Sequence, residues 1–421
     1  MQFNKRFKQA FGTTLLCAFG TMAHAQATAT DALILKAVPT VAPALPSLVA
    51  NQDGTIKDQY IVTLRKLPAN SLVKGLKVDD LVKLVLSGVG GGKILHTYDT
   101  ALFGFAAQFT PAQAKLLKSQ PLVLEVEQDR LGTISDTQSN LHPYFYNLDR
   151  IDQRDLPLNG SYSYPGKAGE GVHLYVIDSG INPNNPEFTG HIGGGLSFIA
   201  GSAANDWADC NGHGTHVAGT AAGKTFGVAK KATLHSLRVA RCDGSLSGSD
   251  VLAALNWVAK NAPKPGVVNM SLGSTNGRVP AWEEAARAVV FAGYPTAVAA
   301  GNQNISACDR SPGADPYVLT VGAVDKYDMR ASFSNYGSCV KIFAPGVDIV
   351  SAYYKDSTKL AQMSGTSMAS PHVAGALAIK LSLNTNPKAT AVDIERAVML
   401  DGSAKVVDAA GSRNSLLYIS Q

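Results

Sequence analysis

From residue 173 onward, short apolar runs with no polar face alternate with stretches of helical periodicity. "LYVID" (174–178), "VVNMSL" (267–272) and "TAVAA" (296–300) lack the apolar–polar alternation of a half-solvated strand. Both faces of such strands must be covered, which is the condition of a parallel sheet between helix layers. The intervening "HGTHVAGTAAG", "SDVLAALNWVAKN" and "AWEEAARAVVFAG", and the run after Ser367, read as the covering helices. A three-layer α/β domain follows, with ligands expected at the carboxyl ends of its strands.

The 421 residues exceed one average domain. A second pattern precedes the first, with strands in "DQYIVTLRK", "GKILHTYDT", "LFGFAAQFT" and "LVLEVEQDR" and helices in "VDDLVKLVLSG" and "TPAQAKLLKSQ". This β-α-β-β-α-β order is that of a small ferredoxin-like α+β domain over 56–135. From Leu131 to Tyr146 the chain turns polar and irregular and reads as a linker to the domain at 136–421. Residues 26–55, rich in Ala and Pro, read as a spacer. Lys5, Arg6 and Lys8, the apolar run Ala10–Ala23 and the small pair Ala23 and Ala25 have the layout of a secretory signal peptide, with cleavage expected after Ala25. The apolar run is short for a membrane span, and no later segment is long enough. A net charge of +5 without a clustered basic face implies no nucleic-acid partner.

Export changes the meaning of the cysteines. Cys17 leaves with the signal peptide, and Cys210, Cys242, Cys308 and Cys339 remain. Two disulfides are expected, with three connectivities open, and no C-x-x-C pair suggests zinc.

Three short stretches carry reactive side chains at strand ends or helix starts. Asp178 ends an apolar strand, His213 and His216 open a glycine-flanked helix, and Ser367 stands at another helix entry among small residues. Asp178 and Ser367 have bland readings, as a turn aspartate and a helix-start serine, and a helix-face metal pair competes for His213 and His216, though without the Glu of His-Glu-x-x-His. Together, a carboxylate, an imidazole and a hydroxyl are the parts of an acyl-transfer triad. Ser367 would need an exposed helix start to reach a substrate carbonyl. Gly365 keeps that approach open, and Pro371 is expected near the first turn, where proline costs little. A lipase-type elbow is disfavoured by chain order and by the lack of G-x-S-x-G at Ser367. A catalytically silent binding protein would need a defect in this set, and none is visible.

The blocks "VIDSGI", "NGHGTHVAGT" and "SGTSMASPHVAG" resemble the three signatures of subtilisin-like serine proteases. "LDRIDQRDLPL", "FGVAKKATLHSLRV" and "ASFSNYGSCV" make the chain most similar to their proteinase K and aqualysin-like branch. The resemblance implies a subtilisin-like domain with Asp178, His213 and Ser367 as triad and Asn302 as oxyanion donor. It implies substrate-lining strands at Ser271, Leu272, Gly273 and Ser274 and at Ala299, Ala300 and Gly301. The first domain resembles the inhibitor propeptide of these enzymes, implying cleavage near Ser135–Asp136. The pairings Cys210–Cys242 and Cys308–Cys339 are likewise implied.

What this resemblance implies is a secreted, self-processing serine endopeptidase of broad specificity. It would be a monomer acting on protein or peptide substrates, with its own propeptide as chaperone and inhibitor. Calcium is implied as a structural ion. Asp149, Asp152 and Gln153 are the candidate ligands, whereas Lys341 replaces an acidic ligand at a second family site formed by carbonyls near Pro316 and Val318. Arg310, in "CDRSP", falls near the position that floors the family's primary specificity pocket. There it would favour acidic or small residues before the scissile bond over aromatic ones, or turn into solvent.

Overall fold

The computed structural model describes residues 51, 55–66, 76–133, 137–139, 146–356 and 359–420. The signal peptide, most of the spacer and the Ser135–Asp136 bond lie outside them.

The N-terminal domain is an antiparallel sheet of β1 (Thr55–Leu64), β2 (Lys93–Tyr98), β3 (Gly104–Gln108) and β4 (Val123–Thr133), in the order β4-β1-β3-β2. Helix α1 (Val78–Ser87) lays Leu81, Val82, Val85 and Leu86 on one face of it. Helix α2 (Pro111–Lys118) starts at a capping box. Thr110 accepts from the Gln113 N–H, the Gln113 side chain returns the bond, and Pro111 takes the first turn.

The second domain centres on seven parallel strands. They are β6 (His173–Asp178), β7 (Ile192–Ser197), β8 (Thr233–Arg238), β10 (Gly266–Met270), β12 (Thr296–Ala299), β13 (Leu319–Val324) and β14 (Ile342–Pro345), ordered β14-β13-β12-β10-β6-β8-β7. Within β6, Leu174 and Val176 face helices α4 (His213–Ala222) and α7 (Thr366–Leu383). Tyr175 and Ile177 face α5 (Gly248–Asn261) and α6 (Pro280–Phe291). Burying one such aliphatic side chain contributes roughly 1.5–3 kcal/mol. This two-sided burial explains the missing polar face and holds the carboxyl ends of β6, β10 and β12 side by side.

The stretch expected as a linker is instead partly strand. Leu131–Thr133, the end of β4, pairs antiparallel with β9 (Ser245–Ser247) on one side, while Gly132 and Thr133 pair with β11 (Gly273–Ser274) on the other. Thr133 is opposite Gly273. Beyond it, β5 (Thr137–Ser139) pairs with β16 (Leu360–Ser364), Thr137 opposite Ser364, and β16 pairs in turn with β15 (Ile349–Ala352). Backbone groups make these ladders, so no apolar alternation was needed in the sequence. Helix α3 (Tyr146–Ile151) follows, and α8 (Ala391–Asp401), started by a Thr390–Asp393 capping box, packs on α7.

The N-terminal domain caps its neighbour. Asp129 of β4 accepts from the Ser249 N–H (3.1 Å) in the first turn of α5, held there by Gln59 (2.6 Å). A carboxylate at a helix N-terminus is favoured by the unpaired N–H groups and the helix dipole. Tyr98 donates to the Ser249 carbonyl (3.1 Å), and Asn256 accepts from the Thr100 and Ala101 N–H groups (2.9 and 3.1 Å).

Candidate active site

Asp178 is fully buried at the end of β6. Its carboxylate accepts from the Ser179 N–H (2.7 Å) and lies 2.8 and 3.0 Å from His213 Nδ1. Since the carboxylate only accepts, Nδ1 carries the proton and Nε2 is the basic nitrogen. His213 opens α4, whose first turn runs against β6. A Cβ on Gly214 would lie 2.2 Å from the Gly180 carbonyl and 3.1 Å from Asp178 Oδ1, so only glycine permits this approach.

The turn that aims His213 has a partner the sequence did not reveal. Half-buried Asp209 accepts from the Asn211, Gly212 and Thr215 N–H groups (2.9 Å each) and from the Ser179 hydroxyl (3.0 Å). Its place four residues before His213, among turn formers, was the available signal. The Cys210–Cys242 disulfide ties this turn down, and Cys308–Cys339 is the second bridge, both as the resemblance implied.

His216 does not join His213 in a metal pair. Its Nε2 donates 2.9 Å to the Ile349 carbonyl, and burial pushes its pKa down to about 3. Buried His372 is equally structural, held between Met368 O and Asn147 Nδ2 at 2.8 Å each.

Ser367 is the second residue of α7. Pro371 is the sixth, near the first turn as expected but just past it, and so removes the N–H that would bond the Ser367 carbonyl. That carbonyl accepts from the Ser271 hydroxyl instead (2.7 Å). Ser271 in turn accepts from Asn269 Nδ2 (3.0 Å), and Ser370 donates to Asn269 Oδ1 (2.8 Å). Asn269 and Ser370 are thus supports that the sequence reading passed over. The Ser367 hydroxyl donates to the Ser271 carbonyl (3.2 Å).

Asn302 follows β12. Its Oδ1 accepts from the Thr366 N–H and hydroxyl (2.8 Å each), which fixes its amide plane beside Ser367. Gly301, at φ +102°, makes the turn; a Cβ there would meet Asn335 Nδ2 at 2.4 Å.

Leu272, Gly273, Ser274, Ala299, Ala300 and Gly301 line one hollow, and Asn302 and Ser367 lie at its edge. Ser271 differs from these expected substrate residues: it is fully buried behind Ser367. Arg310 also lines the hollow, half-buried.

Of the calcium candidates, Asp149 closes its loop by accepting from the Asn159 and Gly160 N–H groups (3.1 and 2.6 Å). Asp152 Oδ1 and Gln153 Oε1 are buried hard oxygens without hydrogen-bond partners, the donor type calcium takes. Among the described residues no group of three or more His, Cys, Asp or Glu is placed to hold a metal. The Lys341 ammonium donates to the Pro316 carbonyl, and burial lowers its pKa.

Residues 169–414 match the profile of the subtilase family and residues 59–134 that of the peptidase inhibitor I9. The chain is 42% identical over 406 residues to an extracellular serine proteinase of Thermus sp. (strain Rt41A), covering 92% of this chain and 96% of that protein. It is 40% identical over 415 residues to alkaline serine exoprotease A of Vibrio alginolyticus, covering 96% of this chain and 76% of the relative. It is also 38% identical over 341 residues to proteinase R of Parengyodontium album, covering 80% and 82%. A crystal structure of a cold-adapted subtilisin-like serine proteinase superimposes with a TM-score of 0.61 at 43% identity, over 67% of this chain and 100% of that one. With a family match over more than half its length and relatives aligned along nearly all of it, the chain belongs to the subtilase family, as a serine endopeptidase preceded by an inhibitor I9 domain.

Proposed function

We propose that this chain is a secreted endopeptidase of broad sequence tolerance that cuts through an acyl-enzyme on Ser367 and matures by cutting itself near Ser135–Asp136. The observation that carries the reading is the buried Asp178 carboxylate on His213 Nδ1. It fixes the tautomer in which Nε2 accepts a proton, and it stabilises the imidazolium that forms. The single proton of the Ser367 hydroxyl points at the Ser271 carbonyl in the resting site. Attack therefore begins when this hydroxyl turns its proton from the Ser271 carbonyl to His213 Nε2, a tightening common when substrate arrives.

Ser367 Oγ then bonds to the carbonyl carbon while His213 takes its proton. The new oxyanion is met by the Asn302 amide and the Ser367 N–H, donors fixed before the charge develops. His213 returns the proton to the leaving amine, and water repeats the sequence on the ester. Substrate pairs in extended form with β9 and β11, the edges that Leu131–Thr133 occupies. Backbone pairing accounts for the broad tolerance.

The bond proposed for self-cleavage lies between Thr133, opposite Gly273, and Thr137, opposite Ser364, three residues before Ser367. Afterwards Leu131–Thr133 remains as a product-like strand that keeps the cleft closed. Export by the N-terminal signal accords with the Thermus relative, which is named as extracellular. Calcium, when bound at Asp152 and Gln153, would stiffen their loop and take no part in the chemistry. The test is a fluorophosphonate probe with a casein assay. Covalent label should appear on Ser367, and Ser367→Ala should lose both label and hydrolysis. Hydrolysis at the wild-type rate in Ser367→Ala would overturn the reading.

A further inference from the structure

We propose that Arg310 makes the hollow beside Ser367 a receptor for acidic side chains on the substrate residue preceding the scissile bond. This rests on the endopeptidase reading above and specifies its substrate.

The hollow lies between the 272–274 and 299–301 segments, with Ser367 and Asn302 at its edge. On the reading above, a substrate strand pairing with Gly273 and Ser274 as Gly132 and Thr133 do runs along one wall of this space, where the side chain preceding the scissile bond would enter. Arg310 is the one ionisable side chain lining it among the described residues.

Its charge is uncompensated. Arg310 Nη1 donates 2.9 Å to the Asp309 carbonyl, while Nε is buried without a partner. No carboxylate of the described residues pairs with it. Glu283 is committed to Arg278 (2.9 Å) and the Ser311 hydroxyl (2.6 Å), and Asp315 to Arg287 (2.9 and 2.6 Å). A guanidinium offers five N–H donors in a planar fork that fits a carboxylate. An entering Asp or Glu supplies the missing charge and acceptors together. A large apolar side chain removes water from the cation and returns nothing, so it is disfavoured.

The experiment compares otherwise identical peptide anilides with Glu, Gln, Asp or Phe before the scissile bond. Wild type, Arg310→Gln and Arg310→Ala are each normalised within themselves. Glu against Gln isolates charge at constant shape. We expect wild type to favour Glu over Gln by roughly 10- to 100-fold in kcat/KM, the scale of a charge-assisted hydrogen bond. The ratio should fall with added salt and collapse toward one in both variants. A wild-type preference for Phe with a Glu:Gln ratio at or below one would overturn the proposal, as would an unchanged ratio in Arg310→Gln. Should a variant not fold, the wild-type ratio and its salt dependence decide alone. If wild type cuts neither the peptides nor casein, the endopeptidase reading itself falls and takes this one with it. Casein cleavage without acidic preference removes this one only.

Discussion

The Ser271 hydroxyl donates 2.7 Å to the backbone carbonyl of Ser367, the acceptor that Pro371 leaves without a helical partner. The proline therefore opens a position in the α7 ladder at Ser367, the proposed nucleophile, and a side chain from the adjoining end of β10 fills it. Ser367 is thereby fixed to the sheet that carries Asp178.

Removing that hydroxyl leaves a buried carbonyl unpaired, which costs roughly 1–3 kcal/mol. Ser271→Ala should lower both Tm and kcat. Adding Pro371→Ala restores an N–H at the fourth position along, so the double variant should be more stable than Ser271→Ala alone. Purely additive losses in a thermal-unfolding cycle would show that the two residues are not coupled.

Asn302→Leu removes the two bonds to Thr366 but keeps a side chain of similar size, and should still fold. Its kcat should drop by roughly 10²–10³-fold, the loss known for removing such a donor from subtilisin. A KM change with kcat intact would assign Asn302 to substrate binding instead.

Glu127, on β4, takes a hydrogen bond from the Ala281 backbone in the first turn of α6. Burial, with Glu125 and Asp129 beside it, pushes its pKa up to about 8 against the smaller pull of Ala281 and Arg130. In the bound propeptide the carboxyl thus keeps its proton at pH values where a free one has lost it. Binding is strongest below the ordinary carboxylate range and weakens as pH rises toward 8, by up to about tenfold per unit for one proton. Gel filtration of cleaved but unreleased protein should show more free propeptide at pH 8 than at pH 6. Glu127→Gln should flatten the difference, and equal retention at both pH values in the wild type would contradict the assignment.

If calcium binds at Asp152 and Gln153 as proposed, it adds stability by mass action, and EDTA should lower Tm by a few degrees. Asp152→Ala should have the low Tm with or without chelator. A wild-type Tm indifferent to EDTA removes calcium from the account.

The sequence showed most where chemistry and pattern coincide. Val176 and Val268 sit in runs without a polar face, which declared the buried sheet, and Asp178, His213 and Ser367 stand at the element ends where that sheet type exposes reactive groups. It showed less where backbone or geometry decides. The "IGGGLS" of β7 carries little strand propensity and is held by its neighbour β8. Leu131–Thr133 pairs through its main chain, so its side chains gave no notice of it. Asp209, Asn269 and Ser370 are ordinary polar residues whose roles exist only once distant segments meet. Helix α8 is legible in the capping box at Thr390 and Asp393 that starts it.

The central claim is that Ser367 both hydrolyses peptide bonds and frees itself from the N-terminal domain. Intact mass of purified wild type and Ser367→Ala, exported side by side, tests it most directly. The account expects wild type cut near Ser135–Asp136 and the variant with its N-terminal domain still covalently attached. Equal cleavage in both would contradict self-processing, and full-length protein in both would contradict the proposed maturation.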